Sequence, residues 1–138
     1  MLVSTRGRYA IRVMLDLAEH YSGGYIPMKD VASRQKLSLK YLERIMPLLN
    51  SGKLVEGVHG KGGGYRLVKK PQEYRIGDIL RLTEGNLAPV ACLGCSAEPC
   101  ERANECRTLP MWSQFHKMVN DYFDSVTLAD LLENRIKL

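Results

Sequence analysis

The sequence predicts a mainly α-helical protein with a small β-hairpin wing, organised as a winged helix-turn-helix followed by a long dimerisation helix. Two short helical patterns joined by a tight turn occupy residues 27–52, and a glycine-rich hairpin pattern follows at 54–68. Over residues 108–126, apolar side chains recur at alternating intervals of three and four, which is typical of a helix that pairs with another helix. With 138 residues, the chain is long enough for one domain with its own core.

The first helix is predicted to begin at Ser4 and Thr5, which can cap it, and to end at two consecutive glycines at 23–24. Its apolar face consists of Ala10, Val13, Met14, Leu17, Ala18 and Tyr21. Arg6, Arg8 and Arg12 lie near its start, where guanidinium groups and a helix N-terminus can together hold a phosphate. A solvated basic first turn is the alternative interpretation.

A helix-turn-helix is predicted next. A short helix spans residues 28–34, and Ser38 caps a second helix that Gly52 ends. The second helix has an apolar side, formed by Leu39, Leu42, Ile45, Met46 and Leu49, and a polar side, formed by Lys40, Tyr41, Glu43 and Arg44. Because proline has no amide proton, Pro47 is expected to kink this helix or shorten its regular part. Such a pair matches a motif whose second helix enters the DNA major groove, although similar pairs also occur as plain core elements.

Two short strands are predicted at residues 54–58 and 65–68, on either side of a glycine-rich tip. The tip carries Lys61 at its centre, and its glycines let the backbone approach a phosphate chain closely. A nucleotide-binding phosphate loop is excluded, because no Ser or Thr follows Lys61 and no helix begins there. A hairpin directly after a helix-turn-helix therefore predicts a wing.

Charge is divided unevenly along the chain. Residues 1–75 carry 14 Lys and Arg against 6 Asp and Glu, whereas residues 76–138 carry 6 against 9. The basic half predicts contact with a polyanion such as double-stranded DNA, although excess charge can also serve solubility alone. No run approaches the roughly 18 apolar residues of a membrane helix, and arginines interrupt every candidate signal sequence, which predicts a cytoplasmic protein without a membrane segment.

All four cysteines fall in one polar segment with the spacing C-x2-C-x4-C-x5-C, at Cys92, Cys95, Cys100 and Cys106. The segment has no periodic pattern and is predicted to be an irregular loop. In a reducing cytosol, clustered thiols are more typical of metal ligands or redox groups than of structural disulfides. An iron–sulfur cluster, zinc and a metal-free thiol switch remain open, with zinc less favoured because only the first pair has the C-x2-C spacing of structural zinc sites.

The remaining helices are predicted from their caps. A short helix follows at about residues 76–83, and a long helix begins with Thr108 as its cap and Pro110 in its first turn. The apolar set of the long helix is Trp112, Phe115, Met118, Val119, Tyr122, Phe123 and Val126. This set is difficult to bury in so small a domain and simple to bury against a second copy, so a homodimer is predicted. Packing of the helix within its own chain is the alternative. Thr127 is expected to cap a last short helix.

These patterns divide the chain into three regions. Residues 1–75 form the winged helix-turn-helix, residues 76–107 a short helix with a cysteine-rich sensor loop, and residues 108–138 the dimerisation helix with the last short helix. An enzyme is not favoured, because a cysteine nucleophile needs a positioned base and no histidine stands in a recognisable Cys/His arrangement.

Four motifs in order resemble the small bacterial winged-helix transcription regulators that include IscR, NsrR and CymR. They are TRGRYA at 5–10, LKYLE at 39–43, GKGGGY at 60–65 and VTLADL at 126–131. The cysteine loop makes the chain most similar to the IscR branch. The resemblance implies a homodimer that reads a two-fold operator, senses iron–sulfur cluster supply through a [2Fe-2S] cluster and controls cluster biogenesis genes. The alternative is a repressor of the same family switched by thiol oxidation, zinc, nitric oxide or a partner protein.

The resemblance also implies which residues touch DNA. The expected set is Arg6, Arg8, Ser38, Lys40, Tyr41, Glu43, Arg44, His59 and Lys61. Within this set, the resemblance implies Lys40, Tyr41 and Glu43 as the readers of the major groove. The carboxylate of Glu43 can accept a hydrogen bond from a cytosine amino group there. Proteins of the IscR type carry an arginine at the wing tip that enters the minor groove, whereas this chain has His59, followed by Lys61.

For the cluster, the resemblance implies Cys92, Cys100 and Cys106 as ligands. The enterobacterial proteins supply a histidine three residues after the last cysteine, whereas this chain has Leu109, which cannot ligate. Cys95 is the first candidate for the fourth ligand, because all-cysteine ligation is ordinary for iron–sulfur clusters. A residue from elsewhere or from the partner subunit, or a small exchangeable ligand, is the alternative.

Overall fold

In a computed structural model, which describes residues 2–138, the chain forms helices α1 (Thr5–Glu19), α2 (Met28–Gln35), α3 (Leu39–Ser51), α4 (Ile76–Glu84), α5 (Leu109–Ser125) and α6 (Leu128–Leu132). Strands β1 (Val55–Val58) and β2 (Gly64–Leu67) pair as an antiparallel hairpin between α3 and α4. Short 3-10 turns occur at Pro71–Glu73 and Ala91–Leu93. The predicted mainly α-helical fold with a hairpin wing is thereby confirmed.

One hydrophobic core lies where α1 packs against α2, α3 and α4. Its fully buried side chains include Val13, Met14, Leu17, Leu42, Ile45, Leu49, Ile79 and Leu80. These residues recur every three or four positions, so each helix buries one stripe. Two residues assigned to the stripes are exposed instead: Tyr21 lies beyond the end of α1, and Leu39 opens α3 ahead of its first buried residue.

A buried ion pair orients α2 against α1. The Asp16 carboxylate of α1 is fully buried and accepts hydrogen bonds from Arg34 at 2.7 Å and from Gln35 at 2.9 Å, both on α2. Burial raises the pKa of Asp16, but the hydrogen bonds from Arg34 and Gln35 and the charge of Arg34 outweigh it, so its pKa lies below the usual value. Arg12, for which its position predicted a phosphate contact, donates to Gln35 and so braces α2 against α1.

The wing is attached to the start of the helix-turn-helix. Ile26 pairs with Tyr65 of β2 through two backbone hydrogen bonds of 2.8 and 3.0 Å. Gly64 lies beside this contact with a φ of 150°, and a Cβ atom there would stand 2.1 Å from the Ile26 carbonyl oxygen, so the close approach requires glycine. The buried Tyr74 hydroxyl donates to the Leu54 carbonyl at 2.7 Å and accepts from the two backbone amides that follow β2. The base of the hairpin is therefore held from both sides.

Pro47 does not shorten α3, which continues to Ser51. The proline and Glu43, whose carbonyl group loses its helical partner, both lie on the exposed side of the helix. Water can replace the missing hydrogen bond there, so the break expected at a proline is not enforced.

Helix α5 lies on the surface, and none of its residues is fully buried. Val119 and Phe123 pack against the core, whereas Met111, Phe115, Met118 and Tyr122 are exposed. The apolar set predicted as one seam is therefore divided between two faces of α5. After it, Thr127 caps α6 as predicted, in a reciprocal pair of hydrogen bonds with Asp130. In the described part of the chain, no helix combines the length and apolarity that crossing a bilayer requires.

Candidate nucleic-acid interface and cysteine loop

The turn between α2 and α3 orients the candidate recognition helix. Lys36 adopts a left-handed conformation with a φ of 54°, and Ser38 caps α3 by accepting a hydrogen bond from the Tyr41 amide at 3.0 Å. Lys40, Glu43 and Arg44 are exposed on the side of α3 away from the core. Three of the residues expected to touch DNA are thus free to contact base edges or phosphates.

Leu39 is a candidate contact that sequence reasoning missed. It is exposed in the same first turn as Lys40, where an apolar side chain can contact a thymine methyl group. Its place in the apolar periodicity of α3 indicated a core residue. Only its exposure in the fold reveals a surface position.

Tyr41 lies at the edge of the exposed side of α3 and is itself half-buried. Its half-buried ring packs edge-on against Tyr9 of α1, with ring centroids 5.5 Å apart. Together with the first residues of α1, Tyr41 lines an open cleft of about 570 Å³ in which Arg6 and Arg44 face the same space. Two guanidinium groups at one cleft suit a DNA phosphate. Arg8 is exposed nearby on α1 and makes only a 3.4 Å contact with Thr5.

The start of α1 is held by an acidic residue from α4. The Glu84 carboxylate accepts hydrogen bonds from the Ser4 amide at 3.1 Å and from the Ser4 hydroxyl at 2.6 Å. Glu84 therefore takes the place that a phosphate could occupy at this N-cap. The arginine side chains remain as the candidate phosphate-binding groups of α1.

The wing tip presents two polar side chains to solvent. His59 and Lys61 are both exposed, and the tip is closed by a hydrogen bond from the Gly63 amide to the Gly60 carbonyl at 3.0 Å. Arg66 in β2 is engaged within the domain, since it pairs with Glu56 at 2.6 Å and stacks over a tyrosine ring. The tip residues, not Arg66, are therefore the candidates for contact with DNA.

The four cysteines lie on the irregular segment between α4 and α5, as predicted. Cys92, Cys95 and Cys100 are exposed, Cys106 is half-buried, and all four are free thiols. Within residues 2–138, no three His, Cys, Asp or Glu side chains are gathered closely enough to hold a metal ion. The thiols would converge on one metal group only after the loop rearranges.

Two contacts link the cysteine loop to its neighbouring helices. The Cys95 thiol donates to the Gly85 carbonyl at the end of α4, at 3.7 Å. At the other end, Cys106 lies 3.4 Å from the Thr108 hydroxyl. Thr108 is the N-cap residue of α5, as predicted, but its side chain makes no capping hydrogen bond. Hydrogen bonds from the Thr108 hydroxyl and amide lower the pKa of the Cys106 thiol, and the thiolate is the form that binds metals. Accessible free thiols fit an iron–sulfur cluster or zinc in their chemistry.

Comparison with known sequences identifies relatives along nearly the whole chain. The model of the Rrf2 family, described as iron-dependent transcriptional regulators, matches residues 3–134. The HTH-type transcriptional regulator IscR of Yersinia pseudotuberculosis is 33% identical over 135 residues, which cover 98% of this chain and 81% of that protein. IscR of Aliivibrio salmonicida is 34% identical over 132 residues, covering 96% and 77% respectively.

Solved structures of similar proteins show the same fold. CymR, the global cysteine regulator of B. subtilis, has a TM-score of 0.77 and 34% identity, with 97% of this chain and 98% of that chain covered. IscR of T. potens has a TM-score of 0.73 and 33% identity, with coverage of 99% and 89%. The matching family and the sequence relatives are transcriptional regulators, and CymR is a regulator as well, which agrees with the exposed polar side of α3 and the exposed wing tip. The chain belongs to the Rrf2 family and is an IscR-like, DNA-binding regulator of transcription rather than an enzyme.

Proposed function

We propose that this protein is a homodimeric regulator that senses iron–sulfur cluster supply through a [2Fe-2S] cluster on the cysteine loop and controls cluster biogenesis genes. The observation that carries the proposal is the placement of four free thiols on one loop between the exposed helix α5 and α4, which packs against helices α1 and α3 of the DNA-binding region. Similarity to IscR proteins over nearly the whole chain supports it.

For DNA recognition, α3 enters the major groove. Lys40 and Glu43 read base edges there, while Ser38 and Tyr41 lie beside them at the start of the helix. Arg6, Arg8 and Arg44 contact phosphates, and the wing residues His59 and Lys61 approach the minor groove. Two copies read half-sites about one helical turn apart, as in other dimeric helix-turn-helix proteins.

Dimerisation uses the exposed face of α5. Met111, Phe115, Met118 and Tyr122 are spaced by four, three and four residues, so they share one side of the helix. They are between 42% and 67% exposed, and so many large apolar side chains on one helix face indicate an interaction surface. Pairing with the same face of a second copy buries all four.

The cluster would be held by Cys92, Cys100 and Cys106, with Cys95 as the fourth ligand. When bound, a [2Fe-2S] cluster supplies a group whose presence depends on iron and sulfide availability. The chain's own response starts at Cys95, because a thiolate has no proton to donate to the Gly85 carbonyl. Loss of that hydrogen bond alters the contact between the loop and the end of α4, which is also the end that holds α1.

A thiol-oxidation or zinc switch on the same loop is the second candidate. It is favoured by the exposed, unconverged thiols and by the lowered pKa of Cys106, and it agrees with the similarity to CymR. Nitric oxide or a partner protein could act on the same loop. The regulator and its DNA-binding surface are the same in both candidates.

The test is an absorption spectrum of protein purified without oxygen, with iron and sulfide assays on the same sample. We expect a coloured protein with iron and sulfide in equal amounts, about two of each per chain. Replacing Cys92, Cys100 and Cys106 together by alanine should remove the colour and leave a folded dimer. Colourless wild-type protein, even after reconstitution, would leave the second candidate. Retention of the cluster by the triple variant would refute the ligand assignment.

A further inference from the structure

Helix α5 is joined to the DNA-binding region at its C-terminal end by the backbone. The Ile76 amide donates to the Val126 carbonyl at 2.9 Å, and the Leu128 amide donates to the Tyr74 carbonyl at 2.9 Å. These bonds fix the point from which α5 extends. Attachment at one end alone would not fix the angle of α5 relative to the DNA-binding region.

A second attachment is made by Arg81 in the middle of α4. Its guanidinium group donates to the Asn120 side-chain oxygen at 2.9 Å and to the Asp124 carboxylate, one turn apart on α5. It also donates to Asp78 of its own helix at 3.0 Å. Because a guanidinium group is planar and its donors have fixed directions, this three-way contact restricts rotation as well as distance. We call Arg81, Asn120 and Asp124 the α4–α5 clamp.

Apolar packing contributes little to the orientation of α5. No residue of the helix is fully buried, and Val119 and Phe123 are its apolar contacts with the core. At Gly77 of α4, a Cβ atom would stand 2.1 Å from the Asp124 carboxylate oxygen, so no side chain separates the two helices there. The clamp, rather than interlocking side chains, therefore sets the angle between α5 and the DNA-binding region.

We propose that the α4–α5 clamp determines which spacing between operator half-sites the protein accepts. This inference depends on the proposed dimer, in which the two α5 helices pair and each carries a DNA-binding region. A helix of 17 residues is about 25 Å long. The clamp holds α5 at Asn120 and Asp124, about 20 Å from the far end of the helix at Leu109. A rotation of about 10° at the clamp would displace that end by about 3.5 Å, which is comparable to the rise of about 3.4 Å per base pair. A change of this size in the angle of α5 at Arg81 would thus be sufficient to change the half-site spacing that the dimer accepts.

The experiment begins with selection of bound duplexes from a random DNA library by the full-length wild-type protein. The selected half-site is then placed in synthetic duplexes with the optimal spacing and with one base pair more or less. Asp124→Ala removes a carboxylate from the clamp, and Arg81→Lys keeps the charge but removes the planar fork. Asp121→Ala is the matched control, since Asp121 is on the same helix and pairs only with Lys117 of that helix.

We expect all four proteins to bind the same half-site sequence most tightly at the optimal spacing. Wild type and Asp121→Ala should lose about tenfold in affinity at a spacing one base pair from the optimum, whereas Asp124→Ala and Arg81→Lys should lose less than about threefold. If both clamp variants lose as much affinity as wild type when the spacing is changed, the clamp does not set the spacing, even if they bind more weakly overall. That result would leave the proposed dimer intact. A wild-type protein that is monomeric by light scattering, or that selects isolated half-sites, would overturn the proposed dimer and the inference with it.

Discussion

At the scale of single residues, buried polar contacts decide how the DNA-binding region is assembled. Asp16 is fully enclosed, yet its carboxylate is satisfied by Arg34 and Gln35 of the next helix. Removing one partner of such a pair leaves the other uncompensated, which costs more than the net gain from forming the pair. Asp16 therefore positions α2, and through α2 the turn that presents α3.

Replacing Asp16 by asparagine should lower the free energy of unfolding at pH 7 by about 2–3 kcal/mol. The pKa of Asp16 is lowered in the folded protein, so its stabilising contribution is present above the unfolded-state value of about 3.9 and is lost as pH falls through the folded value. The difference between wild type and variant should therefore shrink below about pH 4. Urea unfolding of both proteins at a series of pH values measures it. A difference that stays constant with pH would contradict the charged state assigned to Asp16.

Two exposed residues should have separable effects on DNA binding. Glu43→Ala should relax the preference at one base position, because a carboxylate can discriminate cytosine through its amino group. Lys61→Ala should weaken binding to all sequences alike and reduce the salt slope by about one, because it removes a phosphate contact. Fluorescence anisotropy with single-base variants of the operator, at several salt concentrations, distinguishes the two. A uniform loss in both variants would refute the division between reading helix and wing.

At the scale of elements, α4 connects the parts of the molecule. Its first residue is bonded to the segment after α5, its middle to α5 through Arg81, and its last residue to the start of α1 through Glu84. The residue that ends it, Gly85, accepts the Cys95 thiol. If the cysteine loop acts as the proposed sensor, this one short helix is the route by which a change in the loop would reach the start of α1.

Glu84→Ala should test that connection. The variant loses both hydrogen bonds from Ser4 to the Glu84 carboxylate, and a hydrogen bond to a charged group contributes about 1.5–3 kcal/mol of stability. Arg6 lies in the first turn of α1, so its position becomes less fixed when Ser4 is released. DNA affinity should therefore fall for specific and nonspecific duplexes alike. Glu73→Ala is the control, since that carboxylate bonds only the nearby Lys70 amide. If Glu84→Ala loses stability but keeps its DNA affinity, the contact between Glu84 and Ser4 does not influence how α1 binds DNA.

At the scale of the whole molecule, the proposed dimer depends on one exposed surface. Met118 lies within the exposed apolar face of α5 and is 67% exposed. Met118→Glu should convert the dimer to a monomer, because two facing charges cannot be buried without partners. The far-UV circular dichroism of the variant should match that of wild type, since the side chain is exposed and supports no core contact. Light scattering after gel filtration measures the mass.

Lys117→Glu is the control for this experiment. It introduces the same side chain at the adjacent position, which is 76% exposed and outside the apolar face. This variant should remain dimeric, with operator affinity near wild type. Met118→Glu should instead bind single half-sites weakly. A dimeric Met118→Glu protein would exclude this face of α5 as the contact between subunits.

Several features followed from the sequence because their signals are local. The Ser38 cap, the glycine-rich tip and the Thr127 cap are encoded within a few neighbouring residues, and the structure contains the elements they predicted. The amphipathic periods of α1, α3 and α4 likewise identified most of the core. The cysteine spacing marked an irregular loop, and the ordered motifs indicated the family.

Only the tertiary structure decided which side chains of different elements contact each other. Ser4 and Glu84 are 80 residues apart in the chain, and Arg81 and Asp124 are 43 apart, so no local pattern could pair them. The same holds for Arg12, which a basic first turn suggested for phosphate but which contacts α2. The seam of α5 was predicted as one face because periodicity records that residues are apolar, not what they pack against. Which of them face the core and which remain exposed depends on where α4 lies, and that is settled by folding.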